Sequence, residues 1–327
     1  MSGQQPPPMP ARLTPMLAQP GALPPDNGAW AIEMKWDGVR ALAYCEDGGV
    51  RLVSRTGQDV TATYPELRAL GTAMAGRQAL LDGEIVALGP TGWPDFQALA
   101  QRMHVSSADA ARRLAIRVPV TYLAFDLLQL DGRPLLGEPY HHRRTLLEGL
   151  ALHGAHWQTP PSFTGEPGVN VQAVSRRHGL EGVVAKRLES RYEPGRRTGN
   201  WRKIKNLYRQ EAVVGGWRPG MGRRAGLIGS LLIGVHGPGG LEYTGHVGTG
   251  FTDQTLTMLT ERLAPLQRAT SPFATAVPRE HSRDAVWVQP LLVVEVTFTG
   301  WTREGRMRAA SYRGLRNDKP PAEVVRE

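Results

Sequence analysis

The segment Glu33-Met34-Lys35-Trp36-Asp37-Gly38 follows directly on the alternating run Trp30-Ala31-Ile32-Glu33-Met34. This alternation predicts a strand that ends just before Lys35. A lysine followed by Asp-Gly at a strand end is a candidate nucleophile, because a neutral amine can attack the phosphate of a nucleoside triphosphate and stay joined to it through a phosphoramide bond. On these residues alone, a surface turn after a strand remains the alternative.

Composition indicates a globular protein with a polyanionic partner. The chain has 327 residues, enough for two domains, and 41% of them are hydrophobic. The formal net charge is +9 and the sequence pI is about 10.0, with arginine supplying most of the excess. Arginine makes planar contacts to phosphates, which favours a nucleic acid as partner, although a basic protein without such a partner also fits.

Cysteine content and the N-terminal segment narrow the class of protein. Cys45 is the single cysteine, so neither an internal disulfide nor a cysteine-based zinc site can form. Residues 1–27 are rich in Pro, Gln and Gly and predict a flexible leader without a signal-peptide core. We expect no membrane span, and a reducing bacterial cytoplasm fits.

The region 28–208 predicts a mixed α+β domain with antiparallel sheets. Short β-branched runs alternate there with helical spacing at Pro65 to Met74 and at Asp95 to Met103. The predicted strands include Trp30 to Met34, Val50 to Val53, Ala79 to Leu81, Thr121 to Phe125 and Gly182 to Ala185.

The region 209–327 predicts a smaller all-β domain. A single helix, Thr252 to Leu263, is expected between the third and fourth strands, capped by Thr252 or Asp253. Five strands with one helix fit an OB-fold, although an ordinary small barrel fits the pattern about as well. The strands are predicted at Glu211 to Trp217, Leu227 to Val235, Leu241 to Val247, Val286 to Phe298 and Arg306 to Tyr312.

Charged residues on strands supply candidate partners for a phosphate. If Trp201 to Lys205 is a strand, Lys203 and Lys205 project from one face, where two ammonium groups can hold a phosphate and favour the neutral amine of Lys35. Glu84 and Glu181 sit among apolar strand residues, where a bare carboxylate is costly to bury. A divalent cation or a ribose hydroxyl would satisfy them, and so would a structural hydrogen bond.

The order of these segments resembles the motif series of the covalent nucleotidyltransferases. Within that superfamily the chain resembles the ATP-dependent DNA ligases, and in particular the ligase component of bacterial end-joining systems. The resemblance runs from about Trp30 to Pro320 and implies a nucleotidyltransferase (ATP-grasp-like) adenylation domain followed by an OB-fold domain. The segments are Lys35-Trp36-Asp37-Gly38, Ser54-Arg55-Thr56-Gly57, Leu81-Asp82-Gly83-Glu84-Ile85, Phe125-Asp126-Leu127-Leu128, Glu181-Gly182-Val183-Val184-Ala185-Lys186, Trp201-Arg202-Lys203-Ile204-Lys205 and Arg316-Asn317-Asp318-Lys319.

The resemblance implies a role for each of these residues. Lys35 would carry AMP, and Lys203 and Lys205 would contact the α-phosphate of ATP. Glu84 would contact the ribose or a metal ion, and Glu181 the metal ion, which is Mg²⁺ or Mn²⁺.

The resemblance also implies how the nucleoside is held. Phe125 would stack on adenine, Glu33 would face the edge of the base and select it, and Arg40 would face the ribose. Arg55 and Lys186 would contact phosphates.

The C-terminal motif implies a moving domain. Arg316 and Lys319 would stabilise the departing pyrophosphate after the OB-fold domain closes over the nucleotide, with Tyr208 to Gln210 as the hinge.

The implied function is sealing of nicked or broken double-stranded DNA through lysyl-AMP and DNA-adenylate intermediates. The implied partners are the Ku protein and an end-joining polymerase, for a monomer near the bacterial nucleoid. Two alternatives remain open. One is an RNA ligase or RNA capping guanylyltransferase, which shares the nucleophile motif, and the other is a catalytically idle OB-type nucleic-acid-binding protein.

Overall fold

The chain forms two compact units, one ending at Asn206 and the other spanning Leu207–Glu327. The computed structural model describes residues 9–327 apart from 75 and 106, and only the backbone of Arg223. The boundary falls two residues before the predicted one. In the described part of the chain, none of the helices is both long and apolar enough to cross a membrane.

Two sheets build the first unit. In the first sheet only the pairing of Leu17–Pro20 with Arg197–Lys205 is parallel. Its strands lie in the order Leu17–Pro20, Arg197–Lys205, Gly182–Arg187, Trp30–Met34 and Ser162–Thr164.

The second sheet of this unit is antiparallel except where Val120–Leu130 pairs with Trp157–Gln158. The prediction of a mixed domain with antiparallel sheets is therefore confirmed. Its strands follow the order Gly49–Ser54, Val39–Glu46, Ala79–Ala87, Val120–Leu130, Trp157–Gln158 and His153–Gly154, with Arg133–Pro134 on the side of Val120–Leu130.

The helices of the first unit are short. The predicted helix from Pro65 begins as a 3-10 turn, Pro65–Arg68, and continues as Ala69–Ala73. The one predicted from Asp95 covers only Phe96–Ala100, where the Asp95 side chain caps it by accepting from the backbone of Ala98. The remaining helices are Thr61–Thr63 (3-10), Ala108–Arg117, Tyr140–Gly149 and Gly168–Arg177.

Side chains from both sheets pack into a common core. Leu42 and Phe125 come from the second sheet, and Trp201 comes from the first. The facing surfaces of the two sheets are thereby held together around one end of a cleft.

The prediction of a flexible leader over residues 1–27 is wrong from Met16 onward. Met16 is fully buried in that core, and Leu17–Pro20 adds a strand to the first sheet. The Met16 backbone also donates to the Tyr192 hydroxyl at 2.9 Å. Residues 1–8 lie outside the described residues.

The second unit is built on one antiparallel sheet. The predicted strand Val286 to Phe298 is two strands, interrupted near Pro290, which has no N–H to donate to a ladder. The strand predicted at Arg306 to Tyr312 lies instead at Ser311–Leu315. The order is Gly240–Val247, Ile228–Gly237, Tyr208–Pro219, Val286–Val288 and Gln267–Arg268, while Val293–Phe298 pairs with both Tyr208–Pro219 and Ser311–Leu315.

The helix Asp253–Leu263 is confirmed within this unit. Thr252 caps it by accepting from the backbone of Thr255, and its apolar face is buried. A second helix, Arg279–Ser282, was not predicted. The residues predicted as a hinge, Tyr208 to Gln210, follow the unit boundary closely and pair with Val293–Phe298, so the hinge stays a prediction. Short 3-10 turns occur at Gly222–Arg224, Ala264–Leu266 and Pro321–Glu323.

Candidate active site

A cleft of about 490 Å³ in the first unit gathers most of the predicted site residues. This size suits a nucleotide or a similar small molecule. Glu181 and Lys205 do not line the cleft; Glu181 contacts Lys35, and Lys205 contacts Glu181. The predicted residues that line it are Glu33, Lys35, Arg40, Arg55, Glu84, Phe125, Lys186 and Lys203.

Backbone geometry fixes the position of Lys35. Its backbone N–H donates to the carbonyl of Gly182 at 2.9 Å, directly after strand Trp30–Met34. Glu33 and Lys35, two residues apart, both line the cleft. Gly38 has no room for a side chain, because a Cβ atom there would lie 2.2 Å from the carbonyl oxygen of Ile85. The glycine of the nucleophile motif thus lets the chain pass close to strand Ala79–Ala87.

Glu181 joins two of the predicted lysines. Its carboxylate accepts one short hydrogen bond from the Lys35 ammonium and a second contact from Lys205 Nζ at 3.0 Å. Burial opposes ionisation of Glu181, but the two ammonium groups outweigh it and hold its pKa below the usual value. Lys35 is therefore oriented by a carboxylate before any substrate binds.

Lys203 adds a third cation to this end of the cleft. Burial lowers the pKa of Lys203, and the positive charges of Arg197, Lys35 and Lys205 lower it further. Cations held together against their repulsion mark a site for an anion. Five of the 39 basic residues of the chain are lysines, and three of those five lie in this group.

Glu84 lines the same cleft, but its pKa is shifted in the opposite direction to that of Glu181. Burial raises the pKa of Glu84 to about 8, although Arg40 and Lys35 favour its ionised form. Its carboxyl group has no hydrogen bond or ion pair among the described residues. A carboxyl group without a protein partner is available to bind a divalent cation once it is ionised. Mg²⁺ is typically held by one or two carboxylates together with phosphate oxygens of the substrate. The described residues contain no cluster of three or more His, Cys, Asp or Glu that could hold a metal without a nucleotide.

The state of Glu84 gives a prediction about stability and pH. A pKa raised from 4.5 to about 8 on folding contributes stability that is complete below pH 4.5 and is lost as the pH rises through 8. We expect Glu84→Gln, which stays neutral, to gain stability relative to the parent between pH 5 and pH 9. Urea unfolding at both pH values measures this gain.

The exposed residue Glu166 supplies the control, because Glu166→Gln removes a carboxylate far less shielded from water. A stability difference between Glu84→Gln and the parent that stays constant from pH 5 to pH 9 would contradict the assigned state of Glu84.

Buried charges form the other end of the cleft. Glu33 is 3% exposed and pairs with Lys186 Nζ at 2.8 Å. The same ammonium donates to the carbonyl of Phe125 at 3.2 Å and lies 4.5 Å from the centroid of its ring. Burial lowers the pKa of Lys186, whereas the carboxylates of Glu33 and Asp126 oppose that shift. Lys186 is thus grouped with the residues predicted to meet the base, and its phosphate contact stays a prediction.

Arg40 lines the cleft but is already paired. Its guanidinium makes two hydrogen bonds of 2.6 Å to the carboxylate of Asp82 and lies 4.7 Å from the centroid of the Phe125 ring. Asp82, fully buried, also accepts from the Tyr192 hydroxyl at 2.6 Å. Sequence reasoning missed Asp82, although its position two residues before Glu84 places both on one face of a strand. The ribose contact of Arg40 stays a prediction.

The remaining predicted residues lie at the rim or elsewhere. Arg55 is exposed at the edge of the cleft. Arg316 and Lys319 belong to the second unit and line a separate pocket of about 330 Å³. There Arg316 makes two hydrogen bonds of 2.9 Å to Asp318 and also contacts Glu211.

Comparison with known families accounts for both units. The ATP dependent DNA ligase domain matches residues 15–205, and the ATP dependent DNA ligase C terminal region matches residues 224–319. The chain belongs to the ATP-dependent DNA ligase family. The predicted family is confirmed, and so is its architecture of a nucleotidyltransferase adenylation domain followed by an OB-fold domain.

Several members of the ligase family are similar over nearly the whole chain. The multifunctional non-homologous end joining DNA repair protein LigD of Mycobacterium tuberculosis (strain H37Rv) is 48% identical over 316 residues, which cover 96% of this chain and 40% of that protein. The corresponding protein of Pseudomonas aeruginosa is 38% identical over 326 residues, which cover 98% and 37%. The chain thus spans about two fifths of the length of these relatives.

Solved ligase structures agree with the fold. A mycobacterial DNA ligase D complexed with ATP and MES is 46% identical, with a TM-score of 0.55 over 96% of this chain and 98% of the other. A Lig E DNA ligase, at 22% identity, has a TM-score of 0.59 over 92% and 98% and supports the fold alone.

Proposed function

We propose that this chain is an ATP-dependent DNA ligase that seals breaks with a 5′-phosphate and a 3′-hydroxyl during end joining. The observation that carries the proposal is Lys35 in a nucleotide-sized cleft, oriented by Glu181 and accompanied by Lys203 and Lys205. Family membership and the LigD relatives support DNA as the substrate.

The first step forms the covalent intermediate. Lys35 Nζ, having lost a proton, attacks the α-phosphorus of ATP, so that an N–P bond forms and the P–O bond to pyrophosphate breaks. Lys203 and Lys205 offset the negative charge that builds on the phosphoryl oxygens. Mg²⁺, with Glu84 and Glu181 as its proposed carboxylate ligands, would screen the phosphates from one another when it is bound.

The later steps move AMP to DNA and release it. A 5′-phosphate oxygen attacks the phosphorus of the lysyl-AMP, the N–P bond breaks, and Lys35 takes up a proton. The 3′-hydroxyl then loses its proton and attacks the phosphorus of the 5′-phosphate, so that an O–P bond joins the strands and the P–O bond to AMP breaks. The net charge of +9 favours binding of the DNA backbone.

Hydrogen-bonding groups at the buried end of the cleft suit the edge of a purine base. Glu33 as a carboxylate only accepts, whereas the Lys186 ammonium only donates. The 6-amino group and N1 of adenine offer a donor and an acceptor, which match this pair. Guanine offers the same two kinds of group in exchanged positions, a 6-oxo acceptor and an N1–H donor. Formation of the adduct with ATP and not with GTP would place Glu33 at the 6-position of the base and Lys186 at N1.

The function is tested by sealing of a nicked duplex with ATP as the only nucleotide. We expect sealing that requires ATP and passes through a DNA-adenylate. Adduct formation with GTP in place of ATP would support a capping enzyme, and sealing of nicked RNA in preference to DNA would support an RNA ligase. Absence of any covalent AMP adduct would support an idle binding protein.

Arg316 and Lys319 give a prediction that separates the steps. We propose that they offset the charge of the departing pyrophosphate, for which Arg316 would exchange Asp318 and Glu211 for the phosphates. Arg316→Ala or Lys319→Ala should slow formation of the lysyl-AMP adduct by about 10²-fold and leave sealing of a pre-adenylylated nick nearly unchanged. Rapid-quench assays of the two reactions measure this difference.

The exposed residue Arg313 on the same strand, Ser311–Leu315, supplies the control, because Arg313→Ala removes a nearby positive charge outside the motif. Equal losses in both assays for Arg316→Ala would assign Arg316 to DNA binding or to the fold.

The partners belong to the same proposal. The LigD relatives are named as multifunctional end-joining proteins, and the chain covers about two fifths of them. We infer that it acts as a monomer with a Ku-type end-binding protein and an end-joining polymerase, in the cytoplasm at the nucleoid. Size-exclusion chromatography with light scattering, and sealing of double-strand ends with and without Ku, test these inferences.

A further inference from the structure

Tyr140 is a buried residue that contacts the base end of the cleft through the side chains of Glu33 and Lys186. It is the first residue of helix Tyr140–Gly149, it is 0% exposed, and it does not line the cleft. Its hydroxyl donates a short hydrogen bond to Oε1 of Glu33 and lies 3.0 Å from the hydroxyl of Ser162. Ser162 is the residue paired with Glu33 across neighbouring strands.

Both oxygens of the Glu33 carboxylate are therefore held by the protein. Oε1 accepts from Tyr140, and Oε2 lies 2.8 Å from the ammonium of Lys186. Arg144, from the same helix as Tyr140, places a guanidinium nitrogen 3.9 Å from Oε1. A carboxylate with a donor at each oxygen has one orientation, and its remaining lone pairs point in fixed directions.

Tyr140 has the chemistry to hold an ionised Glu33. Burial raises the pKa of Tyr140 well above its usual value, and the neighbouring negative charge of Glu33 raises it further. The phenol therefore stays protonated and remains a donor to the carboxylate. A phenylalanine would fill the same space without this hydrogen bond.

We propose that Tyr140 is a positioning residue for nucleobase selection, which aims the Glu33 carboxylate at the exocyclic 6-amino group of adenine. The inference rests on the proposed use of ATP. Without the phenol, Glu33 keeps Lys186 as a partner but can rotate away from the amino group. The contribution of that amino group to binding then falls, whereas contacts to the rest of the nucleotide persist.

The test compares two triphosphates that differ at one group. ATP carries the 6-amino group, and purine riboside triphosphate lacks it. The second-order rate constant for formation of the lysyl adduct is measured with each. For Tyr140→Phe we expect the preference for ATP to fall by about 10-fold, the size of one hydrogen bond to a charged group. The rate with purine riboside triphosphate should change by less than about 2-fold.

A matched control separates positioning from folding. Tyr122 is also fully buried, and its hydroxyl donates to the backbone carbonyls of Ala41 and Leu81, away from Glu33. Tyr122→Phe should leave the ratio of the two rates unchanged. Ser162→Ala, which removes the second partner of the Tyr140 hydroxyl, should lower the ratio less than Tyr140→Phe and serves if that variant fails to fold.

Two results would overturn the inference. One is equal loss of rate with both triphosphates in Tyr140→Phe, which would show a structural role. The other is an unchanged ratio in a well-folded Tyr140→Phe protein. A parent protein that forms no adduct with ATP would instead refute the proposed function, so the two failures are distinguishable.

Discussion

Replacement of Lys35 by alanine is expected to abolish formation of the covalent AMP adduct. Lys35 lines the cleft on the same side as Glu33, and Glu181 orients its amine. Lys203 and Lys205 lie close by but are proposed to hold the phosphate, so we expect neither to replace the missing nucleophile. Incubation with radiolabelled ATP followed by denaturing electrophoresis should show no labelled protein.

Lys35→Ala retains the residues that are proposed to act when the 3′-hydroxyl displaces AMP. We expect Lys35→Ala to seal a nick that already carries AMP on its 5′-phosphate, because that step needs the phosphate-binding cations but not the nucleophile. Arg313→Ala, which removes an exposed positive charge in the second unit outside the motif, provides a comparison that should keep labelling near the parent level. A labelled Lys35→Ala protein would contradict the assignment of the nucleophile.

Replacement of Glu181 by glutamine should have the next largest effect. The neutral amide cannot pair with both Lys35 and Lys205, and it is a poorer ligand for a divalent cation. We expect adduct formation to slow by about 10²- to 10³-fold. Side chains of Lys35, Glu181 and Lys205 are 21%, 19% and 45% exposed, so their ion pairs contribute only about 1 kcal/mol to folding. The melting temperature should stay within about 4 °C of the parent value.

Glu138 supplies the control for this variant. It also joins two basic groups, Arg133 at 2.7 Å and His142 at 2.9 Å, and is 30% exposed. Glu138→Gln should leave adduct formation unchanged. A large loss of stability in Glu181→Gln, with activity lost only in proportion to the unfolded fraction, would assign Glu181 to the fold.

The parts of the site that sequence predicts are those with a local signal. Lys35 follows a strand and precedes Asp-Gly, and alternation along a strand places Lys203 and Lys205 on one face. The lysine content carries a further signal, since arginine supplies nearly all other positive charge in the chain. Arginine is never neutral in a protein and cannot replace a lysine nucleophile.

The parts that sequence does not predict depend on distant pairing. Tyr140 meets Glu33 across 107 positions in the chain, and no spacing or motif indicates that contact. Arg40 and Asp82 pair because neighbouring strands bring them together. The ion pair of Arg40 therefore cannot be predicted from the residues next to it in the sequence. Pro290 lacks the backbone N–H that a strand needs, so its presence in the sequence already indicated a break. The prediction of one long strand across Pro290 was wrong because it overlooked this.

The position of the AMP on the protein tests the central claim most directly. The chain contains five lysines, Lys35, Lys186, Lys203, Lys205 and Lys319, so peptide mapping by mass spectrometry after incubation with ATP and Mg²⁺ distinguishes every candidate. We predict AMP on the peptide that contains Lys35 and on none of the others, with release of AMP from that peptide when nicked DNA is added. AMP on another lysine, or on none, would contradict the account.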